Sequence, residues 1–286
     1  MAYAFKRGEP LEPALRRIAA ATLDEAIGRL NDGTPPETAV HETRKACKRL
    51  RALLRLYKPA LGDVFRREED AVRKAAKALS SARDQHVLLQ TCERLAESQR
   101  ETQLVAAIRA VGAGLNELES PTNDSTELLT ATSERLADVR ERVDSWRAPH
   151  PKAVIVKRFR HTYRDGRKQR RRCRLNGDAE PWHAWRKAVK QHGYQARLLA
   201  ALHVAGPAYL EPWDRLGKLL GEEHDFSVLC DRLGGVGVSP EVADHVKQAA
   251  IEQRAALREE ARKLGADLYR LPPKVIGNVA RGLLSK

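Results

Sequence analysis

Apolar residues recur at helical spacing along nearly the whole chain. Leu11, Leu15, Ile18, Ala19, Thr22, Ala26 and Leu30 predict a first helix from about Pro10, with Pro13 tolerated in its first turn. The cluster Asn31 to Pro36 ends it, because glycine and proline both interrupt helices. In the next segment, His41 to Lys58, Ala46, Leu50, Leu53, Leu54 and Tyr57 form one apolar face, and Lys58-Pro59 is the expected stop. Val64, Phe65, Val72, Ala75, Ala76 and Leu79 predict a third helix over 63–80. Asp84 precedes another apolar run and reads as its N-cap, a carboxylate accepting orphan backbone N–H groups. Helices follow over 101–118 and from the turn at Pro121–Ser125 to about Trp146. Pro149-His150-Pro151 marks a division near the middle of the chain.

Beyond it, Val154, Val156, Phe159 and Tyr163 anchor a helix within the very basic segment 152–174. Asn176-Gly177-Asp178 is a turn, and a helix from Pro181 is expected to break at Gly206-Pro207. A helix over 208–220 leads to Asp225, read as a second N-cap. Leu233 to Gly237 is a glycine-rich turn without a nucleotide-loop pattern, and 240–270 is the expected final helix. No stretch alternates with the period of a strand, so the fold class is all-α.

The polar faces carry the more unusual pattern. At about 100° per residue, His41, Arg44, Lys45, Lys48, Arg51 and Arg55 fall on one stripe. Glu42 is the one acid among seven lysines and arginines between His41 and Lys58. Like charges one turn apart destabilise a helix by a few tenths of a kcal/mol per pair. Such a stripe needs acids from elsewhere or a bound polyanion. The pattern then repeats: His183, Arg186, Lys187, Ala188, Lys190 and Arg197 reproduce the spacing of His41, Arg44, Lys45, Ala46, Lys48 and Arg55. Downstream, Lys77, Leu79, Asp84 and Val87-Leu88 are echoed by Lys218, Leu220, Asp225 and Val228-Leu229. Two motifs in the same order indicate an internal repeat, with halves 1–148 and 149–286.

The doubled His-x-x-Arg-Lys-x-x-Lys helix, each copy trailed by an Asp motif, resembles the CHAD family, the conserved histidine α-helical domain. The resemblance implies a single domain over 1–286 built as two pseudo-symmetric helical bundles around a basic central channel, and binding of inorganic polyphosphate. It also implies that the basic helix after Pro151 opens the second half, where a pattern like Tyr163 to Lys168 is typical of the family. The expected phosphate ligands are thus the two stripes together with Lys77, Lys218, Arg160, Arg164, Arg167 and Lys168. Two positions depart from the repeat: Gly193 stands opposite Arg51, and His224 opposite Arg83.

Composition narrows the partner. The 286 residues carry 52 Lys+Arg against 38 Asp+Glu, a net charge of +14, with 42% hydrophobic residues to form a core. The excess favours an anionic partner. Aromatics are 5% of the chain, and neither stripe offers the stacking series that single-stranded nucleic acid uses. Nucleic acid bound through the 157–174 helix is the second reading, in which Arg160, Arg164, Arg167 and Arg171 share a face. Arg170 to Arg174 fit solvated surface and ligand contact equally well. An enzyme or accessory acting on phosphate chains is the third reading. The triphosphate-hydrolysing module often coupled to the family has a Glu-x-Glu-x-Lys strand that this sequence lacks, and no catalytic motif appears. Cys47, Cys92, Cys173 and Cys230 have no metal-site spacing and read as free thiols. No metal or cofactor is expected. Without an apolar leader or an 18-residue apolar run, the expectation is a cytoplasmic protein associated with polyphosphate granules rather than a membrane. Oligomeric state is not legible.

Overall fold

A computed structural model describes residues 3–79, 81–118, 125–175, 177–203 and 206–285, without the side chains of 81–85, 118 and 125. The described residues form eleven α-helices and two 3-10 turns, and no strand. The first six helices are α1 (Leu11–Asn31), α2 (Pro36–Leu61), α3 (Asp63–Ala78), α4 (Ser81–Glu97), α5 (Thr102–Leu118) and α6 (Ser125–Arg142). After the division come α7 (Pro151–Arg172), α8 (Ala179–Ala200), α9 (Gly206–Arg232), α10 (Pro240–Leu268) and α11 (Pro273–Leu283).

Two apolar cores hold these helices. The larger draws Leu15, Ile18, Leu50, Leu54, Tyr57, Val72 and Val139 from the first half, and Phe159, Tyr163, Trp185, Trp213 and Leu216 from the second. The smaller is closed by Leu88, Cys92 and Leu95 of α4, Ile108 and Val111 of α5, Phe226 and Leu229 of α9, and Val246 and Ala250 of α10. Each core therefore mixes helices from both halves. Helix α2 is the axis of the larger one, touching α1, α3, α7 and α8. Close approach elsewhere depends on glycine. A Cβ on Gly166 of α7 would sit 2.1 Å from the Tyr269 hydroxyl, and one on Gly265 of α10 would sit 2.6 Å from the Trp185 ring.

Several helix ends differ from the sequence expectation. Helix α2 passes through Pro59 to Leu61. Proline has no N–H for the carbonyl four residues back, and Arg158 of α7 supplies the missing donor, its Nε 3.2 Å from Arg55 O. Helix α8 ends at Ala200, and Gly206-Pro207 opens α9 instead of stopping α8. Helix α9 continues without a break to Arg232, so Asp225 lies inside it and is not an N-cap. The apolar run through Leu216, Leu220, Phe226 and Leu229 keeps it helical, and Asp225 reaches Arg94 of α4 at 3.4 Å. Asp84 likewise falls within α4, which starts at Ser81; its side chain lies outside the described residues, as do residues 121–124 of the expected Pro121–Ser125 turn, and Ser125 opens α6. The last helix is α11. Its buried face is only Ile276, Gly277 and Ala280, too short a pattern to register as a period.

Buried charge ties the helices together. Glu68 of α3 is fully buried and bonded by Arg142 of α6 at 2.9 Å and by Arg67 at 2.8 Å. Glu223 of α9 accepts from Arg258 at 2.9 Å and Arg254 at 3.1 Å, both on α10. Removing one partner of a buried pair strands the other charge and costs about 3–5 kcal/mol. Glu223→Ala should lower the unfolding free energy by about that amount in urea titration. A change within about 0.5 kcal/mol, the range of ordinary surface substitutions, would show that the arginines find water instead.

Candidate functional site: the crossing of two basic helices

The two like-charged helices touch directly. Gln195 of α8 donates through Nε2 to Ala52 O of α2 at 3.1 Å, and Arg55 of α2 donates to Gln191 Oε1 of α8 at 2.9 Å. Gln195 is held from behind, with its Oε1 3.0 Å from the Thr162 hydroxyl of α7. His192 completes the cluster. Its Nδ1 lies 3.1 Å from Thr162 Oγ1, and its ring stacks on Phe159 at 4.6 Å. The one proton of the Thr162 hydroxyl faces two acceptors, Phe159 O at 2.9 Å and Gln195 Oε1 at 3.0 Å; with that proton committed to either, its lone pair accepts from His192 Nδ1–H, which assigns the neutral tautomer. Complete burial keeps this imidazole neutral, with its pKa pushed down to about 3.

On one side of the crossing the basic stripe is neutralised internally. Glu69 of α3 accepts from Arg51 at 2.7 Å and from Arg55 at 2.8 Å. Burial pushes the Glu69 carboxyl up, but these two guanidiniums outweigh it and hold the pKa below the ordinary value. Arg158 sits alongside, its own pKa lowered by burial and by Arg55. Nearer the start of α2, Arg44 donates to Ala76 O at 2.9 Å. These contacts do structural work.

On the other side a cleft of about 160 Å³ opens between α2, α8 and α9. Lys45 and Arg49 of α2 line it together with Lys190 and Arg197 of α8, so both basic helices contribute two cations. Buried Gly193 stands in the same wall. A side chain as long as the first copy's Arg51 would fill the space there. The Arg197 guanidinium lies over the Tyr194 ring at 5.5 Å and pairs with Asp214 of α9. Lys45 pairs with Glu42 at 3.2 Å.

Helix α8 extends the basic edge toward its start. His183 packs its ring against His224 of α9, with centroids 4.6 Å apart. Burial lowers both histidine pKa values, reinforced by Arg186 and Lys187, and His224 reaches about 4. His183 Nδ1 is buried without a hydrogen-bond partner among the described residues. His41 differs: it is exposed, 3.8 Å from Glu42, and borders a separate hollow with Glu37 and His86.

Of the expected ligands, the cleft unites Lys45, Lys190 and Arg197. Lys48 is half-buried on α2. Arg51 and Arg55 lie on the Glu69 side. Lys77 is exposed at the end of α3, and Lys218 is exposed and 3.8 Å from Glu222. The α7 residues point elsewhere. Arg164 contacts His161, Arg167 borders Tyr163, Lys168 is exposed, and Arg160 faces a cavity against α11. Sequence reasoning missed Arg49, although it lies one turn beyond Lys45. It also missed Glu69, whose role depends on how α3 folds back on α2.

The family model for the CHAD domain matches residues 11–234. Among solved structures, PptA from Streptomyces chartreusis aligns with a TM-score of 0.60 at 17% identity, covering 92% of this chain and all of that one. The CHAD domain from the plant Ricinus communis aligns with a TM-score of 0.53 at 22% identity, covering all of this chain and 96% of that one. No curated protein sequence matches the chain. No helix among the described residues is long and apolar enough to cross a membrane.

The histidines make stability depend on pH. His183, His192 and His224 all have folded pKa values below that of a free imidazole. The unfolded chain therefore binds more protons, and stability is complete above the unfolded value of about 6.5 and declines below it. Unfolding free energy should fall between about pH 6.5 and pH 4, and His224→Gln should flatten that slope. A pH-independent free energy across the window would contradict the buried, neutral state of these rings.

Proposed function

The chain belongs to the CHAD domain family, and from that membership we propose that it binds inorganic polyphosphate, without chemically altering it, at the α2–α8 crossing. The family is associated with polyphosphate binding in general. The observation that carries the reading for this chain is the convergence of Lys45, Arg49, Lys190 and Arg197 from two separate helices on one cleft.

Polyphosphate presents regularly spaced anionic oxygens and no bases, so charge density and shape are all that can be recognised. Arg49 and Arg197 offer planar forks for paired phosphate oxygens, and Lys45 and Lys190 offer mobile point charges. Tyr194 supports the Arg197 fork from one face. Glu42 and Asp214 act as built-in counterions in the free protein. An arriving phosphate competes with them for Lys45 and Arg197, which limits affinity for isolated anions and favours a chain that engages all four cations together. The cleft takes a short section of that chain, and the rest runs along α8 toward Arg186, Lys187 and the His183–His224 pair. Among the residues lining the cleft the one carboxylate, Asp214, is occupied by Arg197, which fits a binding role better than proton transfer. Binding of this kind would bring the protein to polyphosphate granules.

Nucleic acid is the competing polyanion, because Arg164, Lys168, Arg171 and Arg172 are exposed along α7. The two surfaces can be separated. Lys190→Glu and Lys45→Glu should each weaken long-chain polyphosphate binding tenfold or more with helical content unchanged, and Arg172→Glu should do so by less than threefold. Abolition by Arg172→Glu with normal binding in both lysine variants would move the site to α7 and favour nucleic acid.

Salt dependence provides a second check. About four neutralised phosphates imply a log–log slope of roughly −3 for a flexible chain. A slope near zero in titrations between low and physiological salt would rule out charge as the basis of binding.

A further inference from the structure

A second basic cavity lies along the start of α7, where α11 folds against it. It measures about 570 Å³ and is lined by Lys152, Lys157 and Arg160 of α7 and Arg281 of α11. Its floor includes Ala153 and Val156, and Ser285 closes one side. The part formed by α11 lies beyond the 11–234 segment that matches the family.

Two features set this cavity apart from the cleft. The first is charge. The cleft cations Lys45 and Arg197 have carboxylate partners, whereas none of Lys152, Lys157, Arg160 and Arg281 has a carboxylate within ion-pairing distance among the described residues. Among the described residues no acidic side chain lines the cavity. Four cations around one hollow repel one another, so the free protein is destabilised there and an anion relieves it. The second is fixed geometry. The Arg160 stem lies on Gly277, where a Cβ would come within 3.1 Å of its Cδ. Lys152 Nζ donates to Ser285 Oγ at 2.9 Å, and Ser285 in turn donates to Arg281 O at 2.8 Å. Lys152 and Arg160 of α7 are thereby held against α11 before any ligand arrives, with the exposed Lys157 and Arg281 around the same space.

We infer that this cavity is a separate binding site for a compact oligophosphate, a group of two or three linked phosphates. The charge exceeds what a single phosphate needs. The volume lies within the range of about 300–1,000 Å³ typical of small-ligand pockets. Two sources share that chemistry: an inorganic oligophosphate, and the phosphate tail of a nucleotide whose organic part would rest on the Ala153–Val156 floor. The inference does not depend on long-chain binding at the α2–α8 cleft.

The test is calorimetric titration of the full chain with inorganic triphosphate and, separately, with ATP, at physiological salt. The variants are Lys157→Glu/Arg281→Glu, which alters two exposed side chains, and Lys190→Glu in the cleft. Triphosphate affinity should fall tenfold or more in the double variant and stay within twofold of the parent in Lys190→Glu. Equal affinities for triphosphate and ATP assign recognition to the phosphates alone, and tighter ATP binding adds the apolar floor; both support the site. Should the double reversal fail to fold, Lys157→Gln/Arg281→Gln replaces it with an expected loss of at least threefold. Unchanged triphosphate affinity in a folded double variant, or no measurable binding to the parent protein, overturns the inference. Loss in Lys190→Glu alone would place triphosphate in the cleft, overturning this site while leaving the polyphosphate reading intact.

Discussion

The fold depends on bringing two positively charged helices into contact. Helices α2 and α8 have aligned basic faces, and Coulomb repulsion opposes their approach. What holds them is a short polar clamp. Gln195 donates to the Ala52 carbonyl, Arg55 reaches Gln191, and Thr162 of α7, itself in contact with His192, bonds the glutamine from the other side. A buried amide with its hydrogen bonds made contributes about 1 kcal/mol net, and one left unmade costs up to about 3 kcal/mol. The clamp therefore sets register more than it adds stability. Slipping α8 by one residue would take Gln195 away from both the Ala52 carbonyl and the Thr162 hydroxyl.

Around that contact the cations divide by the acids that reach them. Glu69 takes Arg51 and Arg55 and turns that end of the α2 stripe into scaffold. On the other side Glu42 and Asp214 are outer, exchangeable partners, leaving Lys45, Arg49, Lys190 and Arg197 around an open cleft. Charge density along the sequence does not measure availability for a ligand. The heavily basic α7 illustrates this: Arg158 is spent on a helix carbonyl and Arg164 on His161, while Arg160 turns toward α11.

Much of this was legible in the sequence, for identifiable reasons. The all-helical class followed from long stretches with a single period, and the apolar face of α2 is buried as its spacing predicts: Ala46, Leu50, Leu53, Leu54 and Tyr57 are all in the core. Lys45, Lys190 and Arg197 could be named because two copies of one motif pointed to them. Legibility ended where tertiary partners decide. Glu69 gives no hint in its own helix that it will face Arg51. Pro59 looks like a stop until Arg158 arrives to satisfy the carbonyl it leaves open. Asp225 has the local look of a cap, yet Phe226 and Leu229 need a continuous α9 to reach the smaller core.

The interleaving of the two cores also governs how the chain reaches its folded state. The α4–α5 hairpin emerges from synthesis well before α9 and α10, which complete the apolar layer over Leu95, Ile108 and Val111. Contacts such as Arg94 to Asp225 join residues 131 apart in the chain. Loops of that length close slowly, and domains rich in distant contacts fold more slowly than those built from neighbouring ones. The first half thus leaves the ribosome with an apolar surface that only the second half can cover. Severing the chain between the halves would leave both with incomplete interiors.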